Sequence, residues 1–393
     1  MSKRARRVEV AETRPARLAV VAGILLTALA LGATAQDAAQ SGAPDGAQDE
    51  PQAEFGEELA VTEVLLDVLV TDANGNVVIG LGPEDFVVRD QGEVVDLTSA
   101  SFYSNRRFVA SSQAAERANV DTSIVPSDRV FILFFHDDRA ANPGAFTRPT
   151  IDAMRYYSAW VRNDLLPNDW VAVVSYDSQI KVWQDFTKSK ADIEAALARV
   201  LKGGKDPGTA WPSRVPEEAD GPSLLANLPL GKQLRKSSRK IYDALRLMAD
   251  ATSDIQGRKN LVFLSWGFGD TTAYGGYYPD PRYYPSMIQA LNDGNVAVYS
   301  IDLVSTTRQG TLLDRGINNS LSLLSDDTGG RYYYFFDTFA APLQEVNEEN
   351  NGYYLLSFKS TYPVGDEGYR EVKVETINPE FRVRARKGYR YGA

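Results

Sequence analysis

The chain has 393 residues, 44% hydrophobic and 24% charged, an ordinary globular composition with room for one large or two modest domains. Its 52 acidic against 42 basic groups give a net charge of −10, so nucleic acid is not an expected partner. With no cysteine and a single histidine, His136, disulfide scaffolds, cysteine zinc sites, thiol nucleophiles and paired-histidine metalloproteases are excluded, and any Ser-His-Asp chemistry must pass through His136.

Lys3, Arg4, Arg6, Arg7, Arg14 and Arg17 precede an apolar run from Leu18 to Ala33 and the sequence Ala33-Thr34-Ala35-Gln36. A basic region, a short apolar core and an A-x-A site make residues 1–35 a secretory signal peptide cut before Gln36. The alternative is an uncleaved anchor, but the run is shorter than the ~20 apolar residues that span a bilayer. The mature chain is then expected to be secreted, periplasmic or held in the cell envelope, with no stable membrane span after cleavage. It would carry 36 basic against 50 acidic groups, a net charge of −14. Residues 36–58 are rich in Ala, Gly, Gln and acid and read as a flexible linker.

From Leu59 the pattern is β. Val64, Leu66, Val68 and Val70 alternate with their neighbours, Asn74-Gly75 supplies a hairpin turn, and Val77-Val78-Ile79 returns. Phe86-Val87-Val88 and Val94-Val95-Asp96-Leu97 continue around Asp90-Gln91-Gly92. Asp72-Ala73-Asn74-Gly75-Asn76 resembles a calcium loop, but its Gly is misplaced and no Glu closes it, so a turn is the better reading. From Arg129 strands and helices alternate. Val130–Phe135, Trp170–Ser175, Ile180–Phe186, Leu261–Leu264 and Val296–Ile301 read as buried strands, and Arg331–Phe336 as a further one. Between them, Ile151, Met154, Ser158, Val161 and Leu165 mark one helical face entered at Pro149. Ile193, Ala196, Leu197, Val200 and Leu201 follow a Ser189/Asp192 capping box, and Ile241, Ala244, Leu245, Met248, Ala249 and Thr252 mark a third face. Met287–Leu291 is helical, a helix starts at Ile317 and stops at Gly329-Gly330, and another lies near 338–350. Residues 203–235, punctuated by Gly and Pro, are expected to be an inserted loop.

This order predicts an α/β domain over 128–340 with a mostly parallel sheet flanked by helices. Tyr353–Phe358, Glu371–Val374 and Phe381–Ala385 return to β character. Segments 59–108 and 352–393 are expected to pair as a β-sandwich from which the α/β unit is inserted.

The succession of a buried strand ending in acid, a helix, Asp169-Trp170-Val171-Ala172-Val173-Val174-Ser175-Tyr176, Arg258–Ser265 and Thr328-Gly329-Gly330-Arg331-Tyr332 resembles a von Willebrand factor type A (vWA) domain. Val68–Asp72 with Gly75, Asp85-Phe86 and Asp90–Glu93 is similar to the leader of VWFA-related proteins of the acidobacterial type. Tyr353–Ser357, Tyr369–Val374 and Arg384–Tyr389 are similar to their ending. The resemblance implies ligand binding at the carboxyl ends of the strands through a Mg²⁺ held by D-x-S-x-S, a loop Thr and a later Asp.

Here the motif position reads His136-Asp137-Asp138-Arg139-Ala140-Ala141-Asn142, and neither register keeps the serines. Trp266 stands where the later Asp would, and Thr209 is the one candidate for the loop Thr. The metal site is therefore expected to be degenerate. Asp137 and Asp138 could hold Mg²⁺ with water and backbone oxygens, or bond loop amides, or Arg139 could take a partner's carboxylate in the metal's stead. Tyr274, Tyr277, Tyr278, Arg282, Tyr283 and Tyr284, in a Gly/Pro-bounded loop, form the preferred contact surface. No phosphate-binding, nucleophile-elbow or dinucleotide motif occurs, and Ser237-Ser238-Arg239-Lys240 lacks the partners of an S-x-x-K hydrolase. The expected function is a non-enzymatic, exported binding protein whose ligand is a protein or an envelope component. The alternatives are a metal-dependent enzyme working at Asp137/Asp138 and a structural envelope subunit.

Overall fold

A computed structural model describes residues 59–104, 128–136, 147–202, 221–271, 277–303, 319–334 and 336–392. The expected signal peptide and linker, and Asp137, Asp138, Arg139, Thr209 and Tyr274, lie outside the described residues. The strands are β1 (Leu59–Thr71), β2 (Phe86–Asp90), β3 (Glu93–Val95), β4 (Leu97–Ser104), β5 (Val130–His136), β6 (Trp170–Tyr176), β7 (Ile180–Thr187), β8 (Lys259–Ser265), β9 (Asp270–Thr271), β10 (Tyr277–Tyr278), β11 (Val296–Asp302), β12 (Arg331–Tyr333), β13 (Gly352–Pro363), β14 (Gly368–Thr376), β15 (Arg382–Arg384) and β16 (Gly388–Tyr391). The helices are α1 (Thr147–Asn163), α2 (Lys190–Lys202), α3 (Gly231–Ser237), α4 (Ile241–Ala251), α5 (Tyr284–Asp293), α6 (Asn319–Asp327) and α7 (Ala340–Glu349).

The central sheet has the order β7-β6-β5-β8-β11-β12, with every neighbour parallel except the edge strand β7. Counted from β5, this is the doubly wound order 3-2-1-4-5-6, whose winding reverses between β5 and β8. Continuous apolar runs suit these strands because both faces are covered. Along β5, Ile132 and Phe134 face a core with Leu245, Met248, Met287 and Leu324. Phe131, Leu133 and Phe135 face the opposite core with Tyr157, Trp160, Ile193 and Val346. The fold is thus mixed α/β with a mostly parallel, vWA-like sheet flanked by helices.

Two further four-stranded sheets, β15-β1-β13-β4 and β16-β14-β2-β3, enclose a third core built on Leu66, Val68, Phe86, Val88, Tyr354, Leu356 and Phe358. The amino-terminal β1 pairs antiparallel with the carboxyl-terminal β13 from Leu59↔Pro363 to Val68↔Tyr354, so the α/β lobe is inserted between β4 and β13 of a β-sandwich. Residues Gly56–Ala393 form one compact unit.

Several local expectations shift. Val94–Leu97 is not one strand, because the chain leaves the second sheet at Asp96 and β4 joins the first. Val77–Ile79 makes only the bridge Thr71↔Val77. The Asp72 carboxylate caps that turn by accepting the Asn74 and Asn76 amides at 2.9 and 2.8 Å, and the Asn76 side chain and amide hold its carboxyl below the usual range. In α1 the inward face is Ala153, Met154, Tyr157, Trp160 and Val161, while Ile151 stands exposed at 44%. In the described part of the expected inserted loop, 221–235, α3 begins at Gly231, and Leu224, Leu228 and Leu234 are buried in the core on one face of the sheet. β12 ends at Tyr333 rather than Phe336 because its pairing with β11 ends at Ile301.

Where lobe meets sandwich, charge is buried. Glu349, 3% exposed, accepts Arg331 at 2.8 Å and Arg384 at 2.6 Å. Arg386 donates to the Asn292 carbonyl at 2.6 Å and the Leu65 carbonyl at 2.7 Å. Lys259, 2% exposed, gives its ammonium to the Ile255 carbonyl at 2.8 Å, and burial pushes its pKa from the ordinary 10.5 to about 8. Between those values the unfolded chain holds a proton that the folded chain does not, so stability rises with pH from about 8 to 10.5; below 8 the cost of burying the charge is fully present. Lys259→Met is expected to flatten that rise, which amounts to about 3 kcal/mol at most, when urea midpoints of both proteins are compared across this window.

Candidate functional site

In an open sheet wound in both directions, ligand crevices form outside the carboxyl ends of the strands where the winding reverses. Here that place lies between His136, which ends β5, and Ser265, which ends β8. A cavity of about 310 Å³ opens there, lined by His136, Tyr176, Arg239, Lys240, Tyr242, Trp266, Phe268 and Tyr277 among others.

Its floor is rigid. The His136 ring stacks on Phe263 at 5.7 Å between centroids, and its Nδ1 lies 2.7 Å from Ser265 Oγ. That hydroxyl oxygen also accepts the Gly267 amide at 3.0 Å. The pair contains the two groups of a nucleophile and its base, but Ser265 is 0% exposed and both its contacts are internal. This geometry positions the β8–β9 turn.

One wall comes from α4 and the residues just before it. Tyr176 donates its hydroxyl to the Arg239 carbonyl at 2.7 Å, tying the end of β6 to the start of α4. Tyr242 is buried edge-on against Phe268 at 5.2 Å, and burial raises its pKa. The opposite wall is a small hairpin in which Tyr277 pairs with Thr271 and Tyr278 with Asp270. Gly269 makes the hairpin feasible: it has φ +97°, and a Cβ there would lie 2.1 Å from the Tyr278 carbonyl oxygen.

The residues expected to bind divide into three sets. Trp266 and Tyr277 line the cavity. Tyr278 lies in the same hairpin, 51% exposed. Arg282, Tyr283 and Tyr284 are engaged with the protein itself. Arg282 folds onto Asp280 at 2.7 Å, and the guanidinium holds that carboxyl well below its usual range. Tyr283 packs tilted against Tyr242, with ring centroids 5.8 Å apart, and carries the Lys240 ammonium 3.3 Å from its ring centroid. Tyr284 donates to Asp327 at 2.8 Å, and burial followed by that carboxylate pushes its pKa upward. These contacts brace the loop: the Asp280 amide donates to Tyr242 Oη at 2.7 Å.

The expected Mg²⁺ ligands Asp137 and Asp138 lie outside the described residues, and the acids and the hydroxyl on the described rim are engaged elsewhere. Ser265 is committed internally, the Asp302 carboxylate accepts the Tyr332 hydroxyl at 2.6 Å, and Asp280 is held by Arg282. Among the described residues no three His, Asp or Glu gather into a metal-binding group.

Arg239, Lys240, Tyr176 and Tyr242 are cavity residues that sequence reasoning did not single out. The one usable signal was a basic pair directly before an amphipathic helix, read there only as part of an incomplete hydrolase motif.

No family model matches the chain, and no curated protein matches it. Among solved structures it is similar to a von Willebrand factor type A protein from Catenulispora acidiphila, with 9% identity, 86% of this chain and 74% of that one covered, and a TM-score of 0.35. It is also similar to BatB from Bacteroides thetaiotaomicron, with 13% identity, 56% and 98% covered, and a TM-score of 0.35. A third is manganese-loaded TRAP of Plasmodium vivax, with 10% identity, 77% and 98% covered, and a TM-score of 0.32. The order and direction of the strands in its own central sheet make the chain a vWA-like α/β protein carried on a β-sandwich.

Proposed function

We propose that this chain is an exported binding protein, of the VWFA-related kind, that engages a protein or cell-envelope ligand through the carboxyl edge of its parallel sheet and performs no catalysis. The observation that carries the reading is the braced aromatic hairpin over the cavity. Tyr277 and Tyr278 stand on a loop immobilised by Tyr242, Asp280 and Lys240. Aromatic side chains held in this way supply contact area at low entropic cost. The enzymatic alternative has one geometric point in its favour, the His136–Ser265 contact, and Ser265 has no surface from which to attack a substrate.

The test is saturable binding of the mature protein to a purified envelope fraction by surface plasmon resonance, with Tyr277→Ser/Tyr278→Ser as the variant. Loss of about 2 kcal/mol of affinity or more, the cost typical of aromatic anchors, is expected with an unchanged circular dichroism spectrum. Undiminished binding by the variant, absence of saturable binding by the wild type, or labelling of Ser265 by a fluorophosphonate would overturn the reading.

A further inference from the structure

We propose that the cavity between β5 and β8 is a receptor for a single carboxylate, held by Arg239 and Lys240 without a metal ion. This rests on the binding reading above and names the chemical group a partner must present. At about 310 Å³ the cavity is at the small end of ligand pockets and admits one side chain or chain end.

Its lining is divided in character. Tyr176, Tyr242, Trp266 and Tyr277 give aromatic surface, and Arg239 and Lys240 give the positive charge. Both cations are exposed, and neither is ion-paired among the described residues. By contrast, Lys181, Arg282, Arg331, Arg370, Arg384 and Lys387 each face a carboxylate within 3.1 Å. In a chain whose acids outnumber its bases by ten, two cations without an ion-pair partner among the described residues bring positive charge to one cavity. Of the two described acids of the neighbouring hairpin and loop, Asp270 and Asp280, the latter is neutralised by Arg282 at 2.7 Å. The Tyr283 ring fixes the Lys240 ammonium in place without cancelling its charge.

Two cations lining one cavity suit a planar anion: the guanidinium fork of Arg239 can donate two N–H bonds to a carboxylate, and Lys240 adds a point charge. Aromatic walls cover the stem of the group that bears it and strengthen the attraction by excluding water. Two sources share this chemistry, the free carboxyl end of a chain and the side chain of an internal acidic residue.

Three probes separate them: N-acetyltyrosine, the α-amide of N-acetylaspartate, and N-acetyltyrosine amide, which has no carboxylate. Each is titrated into the intact mature chain in excess EDTA and followed by ligand-observed NMR. Saturable binding of at least one acid is expected, stronger than the neutral amide and weakened by salt. Arg239→Ala/Lys240→Ala should reduce it by roughly tenfold or more. Because Lys240 also packs on Tyr283, Arg239→Ala alone, which leaves that contact intact, is the second variant and should also weaken binding; the fold of both is checked by circular dichroism. Binding of N-acetyltyrosine alone identifies a chain end, and binding of the aspartate derivative alone an acidic side chain. Equal binding of the neutral amide, binding of neither acid, an undiminished double variant, or binding that appears only when Mg²⁺ replaces EDTA would overturn the proposal. Failure here, with envelope binding still dependent on Tyr277 and Tyr278, removes the carboxylate and leaves the binding function standing.

Discussion

Gly330→Ala is expected to destabilise the folded chain by about 3 kcal/mol or more, lowering Tm by several degrees. Gly330 joins α6 to β12, and a Cβ on it would lie 1.9 Å from the carbonyl oxygen of Val298 and 2.5 Å from its carbonyl carbon. Those atoms belong to the backbone of β11 in the middle of the lobe, so no rotamer change relieves the overlap. Its neighbour Gly329 has φ +72° and would set a Cβ 2.6 Å from the carbonyl carbon of Ala385, between β15 and β16. The Gly329-Gly330 pair therefore lets the last strand of the lobe and the sandwich chain pass at backbone contact. Gly365→Ala is the control: φ is +83° there, but no atom lies within 4 Å, so the cost is conformational, about 1 kcal/mol. Equal urea midpoints for the two variants would show that the close approach at Gly330 carries no energy.

Arg129→Met is expected to cost about 3–5 kcal/mol, because it strands a buried carboxylate. Arg129 Nε and Nη2 donate to the two Asp169 oxygens at 2.8 and 2.6 Å, with the two side chains 1% and 0% exposed. The same guanidinium donates to Asn347 Oδ1 at 2.8 Å, so it ties β5 to α7 as well as to the turn before β6. Asp169 also accepts the Leu166 amide at 2.7 Å. The double variant Arg129→Met/Asp169→Asn removes the stranded charge and keeps an acceptor for that amide. It should be more stable than Arg129→Met alone, and a double-mutant cycle by denaturant unfolding measures the coupling. If Arg129→Met unfolds at the wild-type midpoint, the pair contributes nothing net to the fold.

The sheet was legible because its physics is local. Val130–His136 and Lys259–Ser265 are buried on both faces, so their apolar runs need no alternation to announce them. α4 was legible for a related reason, since each of its six expected inward residues is buried. Pattern was less informative where burial depends on a distant partner. The face of α1 turns toward Ala153 and Trp160 rather than Ile151 because β5 presents Phe131 and Phe135 to it. β16 was not read from Gly388-Tyr389-Arg390-Tyr391, and it exists because β14 offers it an edge from Gly368 to Glu371. The site follows the same logic. His136 and Trp266 could be placed at strand ends from the sequence, but Arg239 and Lys240 stood out only as part of an S-x-x-K match without its partners. Only the parallel sheet brings the residues before α4 beside the end of β5.

The pairing of β1 with β13 joins residues from opposite ends of the described chain, and the bond between Thr62 Oγ1 and Tyr362 Oη spans 300 positions. The equilibrium cost of so wide a closure is modest, since loop entropy grows only with the logarithm of length. The consequence is one of timing. While the chain is being made, β1, β2 and β4 emerge with Leu66, Val68, Val70 and Val88 unpartnered, and the whole α/β lobe must follow before β13 arrives to cover them. Pairings this distant in sequence form late. Until β13 is made, the first strands of the sandwich lack the partner that covers them, and apolar strands without a partner are open to aggregation.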